Sequence, residues 1–301
     1  MKHFLSVLLF FLCCAAAQGG MKVVTLHPLL TEMAQRIGGT DVEVVSLFPP
    51  NGELHEFAPE PAAIASISQS DVLLACGQGT EPYLQKLREA LPATVHVAEL
   101  GDTLPRVTLP GTDIADPHWW NSPANMARAA RVLSDLLAEL DPDHAVTYAV
   151  RRRAYAAEMQ QMESSARLIL SYIPAERRIL VTEHAAFCHF CRDFGFTPLP
   201  VNGIAQESEG DTATMARLLT QLRAAHVPAL FTEVNESPRA LEVLAKEVGA
   251  SVHPLIMDGV HPRLRDGYAP AYPTYKEVFL FNLREIVKAF APAHATDPHR
   301  T

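Results

Sequence analysis

The sequence predicts an α/β fold of two lobes, each a mostly parallel sheet flanked by helices, joined by one long rigid interlobe helix. Three observations predict it. Short apolar runs alternate with amphipathic stretches in both halves of the chain, the βαβα rhythm of parallel sheets. About 280 residues beyond the leader are more than one core usually holds. A stretch free of Gly and Pro runs from His144 to Tyr172 between the halves; about 29 residues at 1.5 Å each span roughly 43 Å, enough to cross a domain.

Met1–Gln18 stands apart from the fold. Lys2 and His3 precede a nearly continuous apolar run from Phe4 to Cys14, and Ala15-Ala16-Ala17 offers a small-residue cleavage site. That is the pattern of a secretory signal peptide, too short for a membrane span. Lipid attachment at Cys13 or Cys14 is the variant reading. The remaining organisation is an amino-terminal lobe over 21–142, the interlobe helix over 143–173 and a carboxy-terminal lobe over 174–301.

The elements follow in order. Val23–Leu26 is a strand, and Pro28–Ile37 a helix stopped by Gly38-Gly39. Val42–Phe48 is a strand ending in the turn cluster Pro49-Pro50-Asn51-Gly52. Helices at Glu60–Gln69 and Glu81–Ala90 alternate with strands at Val72–Ala75 and Thr94–Val97. After the loop Gly101–Ile114, Asn121 or Ser122 caps a helix with Pro123 at its first turn. That helix runs to Leu140, and the long helix restarts after Asp141-Pro142-Asp143. Arg151-Arg152-Arg153 breaks any clean heptad within it. The second half repeats the alternation: strands at Ile179–Val181, Pro198–Val201, Ala229–Thr232 and Val252–Met257. Its helices are expected at Ala185–Phe194, Thr212–Ala225, Pro238–Val248 and Tyr272–Phe290, with a disordered tail from Ala291.

Net charge is −9, and one unit more negative once Lys2 leaves with the leader. An acidic chain without a basic run argues against nucleic acid as a partner. Cys76, Cys188 and Cys191 remain after the leader. Cys188-His189-Phe190-Cys191 admits a disulfide, a redox pair or simply small buried side chains, and no second CxxC completes a structural zinc site.

Among thirteen histidines, context separates a few. His184 and Asp258 follow apolar runs, His55 follows a strand across a turn, and His118 precedes a helix. Ligands of open α/β sheets bind beyond the carboxyl ends of strands. Three imidazoles and one carboxylate suit a four-coordinate borderline cation such as zinc. His27, also between strand and helix, is a competitor whose expected role is lining the cleft or stabilising the helix start. His261 is near enough to Asp258 to approach the mouth, whereas His253 is expected to point away. Glu233, at a strand end, is a candidate to orient a ligand histidine from outside the donor set, or a surface carboxylate or helix cap. Glu183 is expected to turn away from the site.

The segments Glu53-Leu54-His55-Glu56-Phe57-Ala58-Pro59-Glu60-Pro61, Asp116-Pro117-His118-Trp119-Trp120-Asn121-Ser122-Pro123, Val181-Thr182-Glu183-His184-Ala185-Ala186-Phe187 and Pro254-Leu255-Ile256-Met257-Asp258 stand in a telling order. In them the chain resembles the solute-binding proteins of bacterial ABC importers for zinc and manganese. The resemblance implies that His55, His118, His184 and Asp258 bind the metal between the lobes. It also implies a membrane permease as partner, a monomeric chain, and export to the periplasm or, if lipidated, to the cell surface. Glu53-Leu54 replaces the Asp-Pro that many members carry before the first histidine, and Gly101–Ile114 lacks the histidine-rich insert of many zinc-specific members. That family has His or Glu at the third position; His184 favours zinc, with manganese as the other candidate.

Binding is the expected role, and not catalysis. A catalytic zinc keeps a position open for water, whereas four protein ligands fill the shell. Neither HExxH nor a Gly-x-Ser-x-Gly elbow occurs. A secreted metal-dependent hydrolase and a surface adhesion protein with a structural metal are the alternatives.

Overall fold

The structure, a computed structural model, describes residues 20–49, 54–202, 212–234, 236–259 and 274–291. The expected leader with Cys13 and Cys14, most of the turn before His55, His261, the first residues of the last expected helix and nearly all of the tail lie outside the described residues.

The first half runs β1 (Met21–Thr25), α1 (Pro28–Gly38), β2 (Val42–Ser46), α2 (Pro61–Ile67), β3 (Val72–Ala75), α3 (Leu84–Ala90), β4 (His96–Glu99) and α4 (Pro123–Leu140). Its strands form one parallel sheet in the order β2-β1-β3-β4. After α5 (Ala145–Leu170) come β5 (Ile179–Thr182), α6 (Cys188–Phe194), β6 (Thr197–Pro198), α7 (Thr212–Ala225), β7 (Ala229–Glu233), α8 (Arg239–Val248), β8 (Ser251–Leu255) and α9 (Tyr275–Phe290). The second sheet is parallel in the order β6-β5-β7-β8, which repeats the first. In both sheets the chain reverses direction across the sheet beside the first strand of its half, the crevice where open α/β folds take ligands.

Strand periodicity explains the layers. Successive residues point to opposite faces, so Val23, Val72 and Leu74 join one core cluster while Val24, Leu73 and Ala75 join another beneath α3. In the second sheet Leu180, Ala229 and Phe231 belong to that first cluster, whereas Val181 and Leu230 pack with Leu222 and Leu244 of α7 and α8. The inner faces of both sheets therefore share one continuous core, with α1, α4, α5 and α9 among its walls.

Helix α5 has 26 residues, about 39 Å of axis, and is slightly shorter than the sequence suggests. It buries Tyr148, Tyr155, Met159, Met162, Ala166 and Leu170 at mostly three- and four-residue spacing. Arg151, which spoils the heptad, donates to the Gly38 carbonyl (2.6 Å) and to Asp41 (2.7 Å), closing off the end of α1. Glu158 pairs with Arg36 of α1 at 2.6 Å and Lys276 of α9 at 3.4 Å. One helix thus grips both halves.

Several expected boundaries move: α3 begins at Leu84 instead of Glu81, β4 runs His96–Glu99 instead of Thr94–Val97, and β2 and β8 end two residues early. Helix α6 begins at Cys188 instead of Ala185, because Ala186 N donates to the His184 carbonyl in a turn and Asp116 Oδ2 takes the Cys188 N–H. Strand β6, Thr197–Pro198, lies at the sheet edge, where the missing N–H of Pro198 faces away from β5 and costs no ladder bond. Its extended course still continues through Leu199 N to Leu180 O (2.9 Å) and Val201 N to Thr182 O (2.8 Å). Cys76, Cys188 and Cys191 are buried free thiols, so the disulfide alternative is not realised here.

Candidate metal centre

Segments leaving the carboxyl ends of both sheets meet in one place. His55 lies beyond β2, His184 two residues past β5, and Asp258 three residues past β8. His118 precedes a single 3-10 turn, Trp119–Asn121, that leads into α4. One donor atom from each of these four side chains lies within 4.8 Å of every other. The Nε2 atoms of His118 and His55 are 3.2 Å apart. Asp258 Oδ1 is 3.2 Å from His184 Nε2, 3.3 Å from His118 Nε2 and 3.5 Å from His55 Nε2. A tetrahedron of zinc–nitrogen and zinc–oxygen bonds of about 2.0–2.1 Å has edges of about 3.3 Å, so four of these separations match that shell.

The surroundings fix each donor differently. Asp116 is fully buried, and its Oδ1 accepts from both the backbone N–H and the Nδ1–H of His118, at 2.9 and 2.7 Å. That leaves Nε2 of the neutral ring bare and aimed at the other donors, the carboxylate–histidine arrangement that orients metal ligands. Asp116 Oδ2 takes the Cys188 N–H at 2.8 Å, which ties the His118 segment to the second half. His184 is held by its backbone, with Thr182 Oγ1 donating to its carbonyl at 2.7 Å; its buried Nδ1 has no hydrogen-bond partner among the described residues. His55 is the most exposed donor, with 21% of its side chain accessible.

Asp258 sits in a braced segment. Asn282 of α9 brackets Ile256, its Oδ1 accepting from the backbone N–H at 2.7 Å and its Nδ2 donating to the carbonyl at 2.8 Å. Glu233 Oε2 accepts from Met257 N at 2.7 Å and its Oε1 from Val234 N. Glu233 therefore supports the Asp258 loop through its backbone instead of touching a histidine ring. From the first half, Trp120 Nε1 and Asn121 Nδ2 donate to the Met257 carbonyl at 3.1 and 2.9 Å, and His27 Nε2 donates to the Asp258 carbonyl at 3.0 Å. Glu183 turns away, its Oε2 accepting from Thr232 Oγ1 and Glu233 N. His253 lies in the body of β8 beside Ser251 and Glu285.

The electrostatics are those of a site built for positive charge. Burial opposes ionisation of Asp258, but the imidazoles, His184 foremost, hold its carboxyl well below the usual range. Burial likewise penalises a charged His118, yet the bonds to Asp116 and Asp258 outweigh it and lift this imidazole to about 9. Burial, aided by the neighbouring His118 and His55 and opposed by the bond to Asp258, pushes His27 down to about 4, so it stays neutral. Burial, reinforced by the Asp258 charge, raises Glu233 far above the usual carboxylate range. The roles of Asp116, Asn282 and Trp120 escaped the sequence reading. Only Asp116 left a signal there, the Asp-x-His spacing with which a carboxylate reaches back to the ring two residues on.

The profile of a family described as the zinc-uptake complex component A, periplasmic (ZnuA), matches residues 23–289. The chain belongs to the ZnuA family. The iron-binding protein YfeA of Yersinia pestis is 30% identical over 273 residues, covering 89% of this chain and 86% of that protein. The manganese-binding lipoprotein MntA of Halalkalibacterium halodurans is 28% identical over 233 residues, 77% of each. A zinc-bound deletion mutant of ZnuA superposes with a TM-score of 0.77 at 26% identity, covering 91% of this chain and 99% of that one. This ZnuA-family chain thus shares its two-sheet fold with a zinc-bound structure, and its relatives carry names that span three metals. No helix among its described residues is long and apolar enough to cross a membrane.

Proposed function

We propose that this chain is an exported receptor that captures one divalent transition-metal ion, zinc in preference to manganese, and delivers it to the permease of an ABC importer. His55, His118, His184 and Asp258 are the ligands, and the ion is cargo. The observation that carries this reading is the convergence of four donor atoms from segments of both sheets at tetrahedral-edge separations. Three imidazoles with one carboxylate suit zinc better than the oxygen-rich sets that manganese favours.

The account extends to organisation and place. The lobes are residues 21–142 and 174–301, with 143–173 as the helix between them, and the ion closes the seam. Met1–Gln18 directs export, to the periplasm or, through Cys13 or Cys14, to a lipid anchor. The chain works as a monomer and is not an enzyme: Glu183, the carboxylate beside His184, is consumed by Thr232 and Glu233 and faces away from the donors.

Competition titration against a fluorescent zinc chelator tests the reading. The wild-type chain should take up one equivalent of zinc, and His118→Ala should weaken it by at least a hundredfold. Equal affinity in the two proteins would refute the ligand set.

A further inference from the structure

His27 occupies the place in the first sheet that His184 occupies in the second. Each lies two residues beyond the first strand of its half, at the edge where the sheet reverses direction. His184 presents its ring to the Asp258 carboxylate, at 3.2 Å. His27 reaches the same aspartate from the opposite half, but at its main-chain carbonyl, at 3.0 Å. Its other nitrogen is also committed: Nδ1 accepts from Leu29 N at 3.1 Å, capping α1. That fixes the tautomer, with the proton on Nε2, and leaves His27 no lone pair for a metal. The ring is fully buried, 4.6 Å from Trp120. The fit beyond it is close: Gly259 has φ +69°, and a Cβ there would lie 3.1 Å from His27 Cε1 and 2.6 Å from Leu29 Cδ1.

We infer that His27 is a positioning residue for the cargo: by joining the start of α1 to the Asp258 carbonyl across the halves, it sets the carboxylate and slows release of the ion. The inference rests on the metal-capture reading above. It separates two jobs of one side chain, and substitutions can separate them too. Asparagine is among the best helix caps, and its Oδ1 stands where Nδ1 stands, but it is too short to reach Asp258. Glutamine has the reach to donate to that carbonyl and is the poorer cap.

The test is chelator-driven zinc release by stopped flow, with zinc affinity by competition and melting of the metal-free protein, for wild type, His27→Asn and His27→Gln. Groups behind metal ligands typically govern a tenfold to hundredfold range of affinity. His27→Asn should release zinc at least about tenfold faster, a larger change than its loss of metal-free stability accounts for, and His27→Gln should recover most of the slow release. Wild-type release from His27→Asn would overturn the inference. So would a release defect matched by an equal loss of metal-free stability, or a glutamine variant no better than the asparagine one. A wild-type chain that takes up no zinc would instead sink the capture reading, and this inference with it.

Discussion

Asp116→Asn tests how the site holds its best-ordered imidazole. The carboxylate accepts from the His118 backbone N–H, from His118 Nδ1–H and from Cys188 N, all within 2.7–2.9 Å and fully buried. An amide keeps one acceptor oxygen and turns an NH2 toward an N–H that has lost its acceptor. A hydrogen bond to a charged group contributes about 1.5–3 kcal/mol, so the loss at the metal should be about 2 kcal/mol, roughly thirtyfold in affinity. The pH dependence sharpens this. In the metal-free protein His118 titrates at about 9, so zinc must displace its proton at neutral pH. Removing the Asp116 charge lowers that barrier along with the affinity, and the deficit should widen as pH rises from 7 toward 9. Zinc affinity by competition across that range is the assay. An affinity within threefold of wild type at pH 9, with the fold intact by circular dichroism, would refute the assignment of Asp116 as the group that orients His118.

Other consequences can be checked together. Burial raises the Glu32 carboxyl from 4.5 to about 7 against the pull of Arg36. The unfolded chain then sheds this proton from about pH 4.5 while the folded chain keeps it, so stability falls as pH rises from 4.5 to 7, by at most about 3 kcal/mol. Glu32→Gln should flatten that part of the melting-temperature profile of the metal-free protein, and parallel profiles would contradict it. Gly259→Ala combines a left-handed backbone with a Cβ 2.6 Å from Leu29 Cδ1; it should cost about 1–3 kcal/mol in urea unfolding and loosen zinc binding through its neighbour Asp258. Asn282→Ala leaves both polar groups of Ile256 buried without their side-chain partner. It should cost about 2–4 kcal/mol, read as a lower urea midpoint.

Much of this architecture was legible because strands and helices announce themselves locally. Val72–Ala75 is wholly apolar and buried on both faces, and Gly195 and Gly249 stop helices in left-handed conformation. Two donors, His184 and Asp258, were legible for a related reason: each follows an apolar run at a strand's carboxyl end, whereas His55 and His118 stood out through the motifs around them. What pattern could not supply were bonds made across the whole chain. The His27–Asp258 contact joins residues 231 apart, and Trp120–Met257 joins residues 137 apart. Nothing local marks either pair. Helix α6 was extended too far for the opposite reason. Its first turn has a helical composition, and the contact with Asp116, 72 residues away, decides where the helix starts.

The central claim is that four side chains enclose a single ion. Zinc K-edge X-ray absorption on the chain loaded with one equivalent tests it most directly. The account predicts a four-coordinate shell of three imidazole nitrogens and one carboxylate oxygen, lost in His118→Ala. A shell with fewer than three imidazoles, or one completed by water, would contradict it.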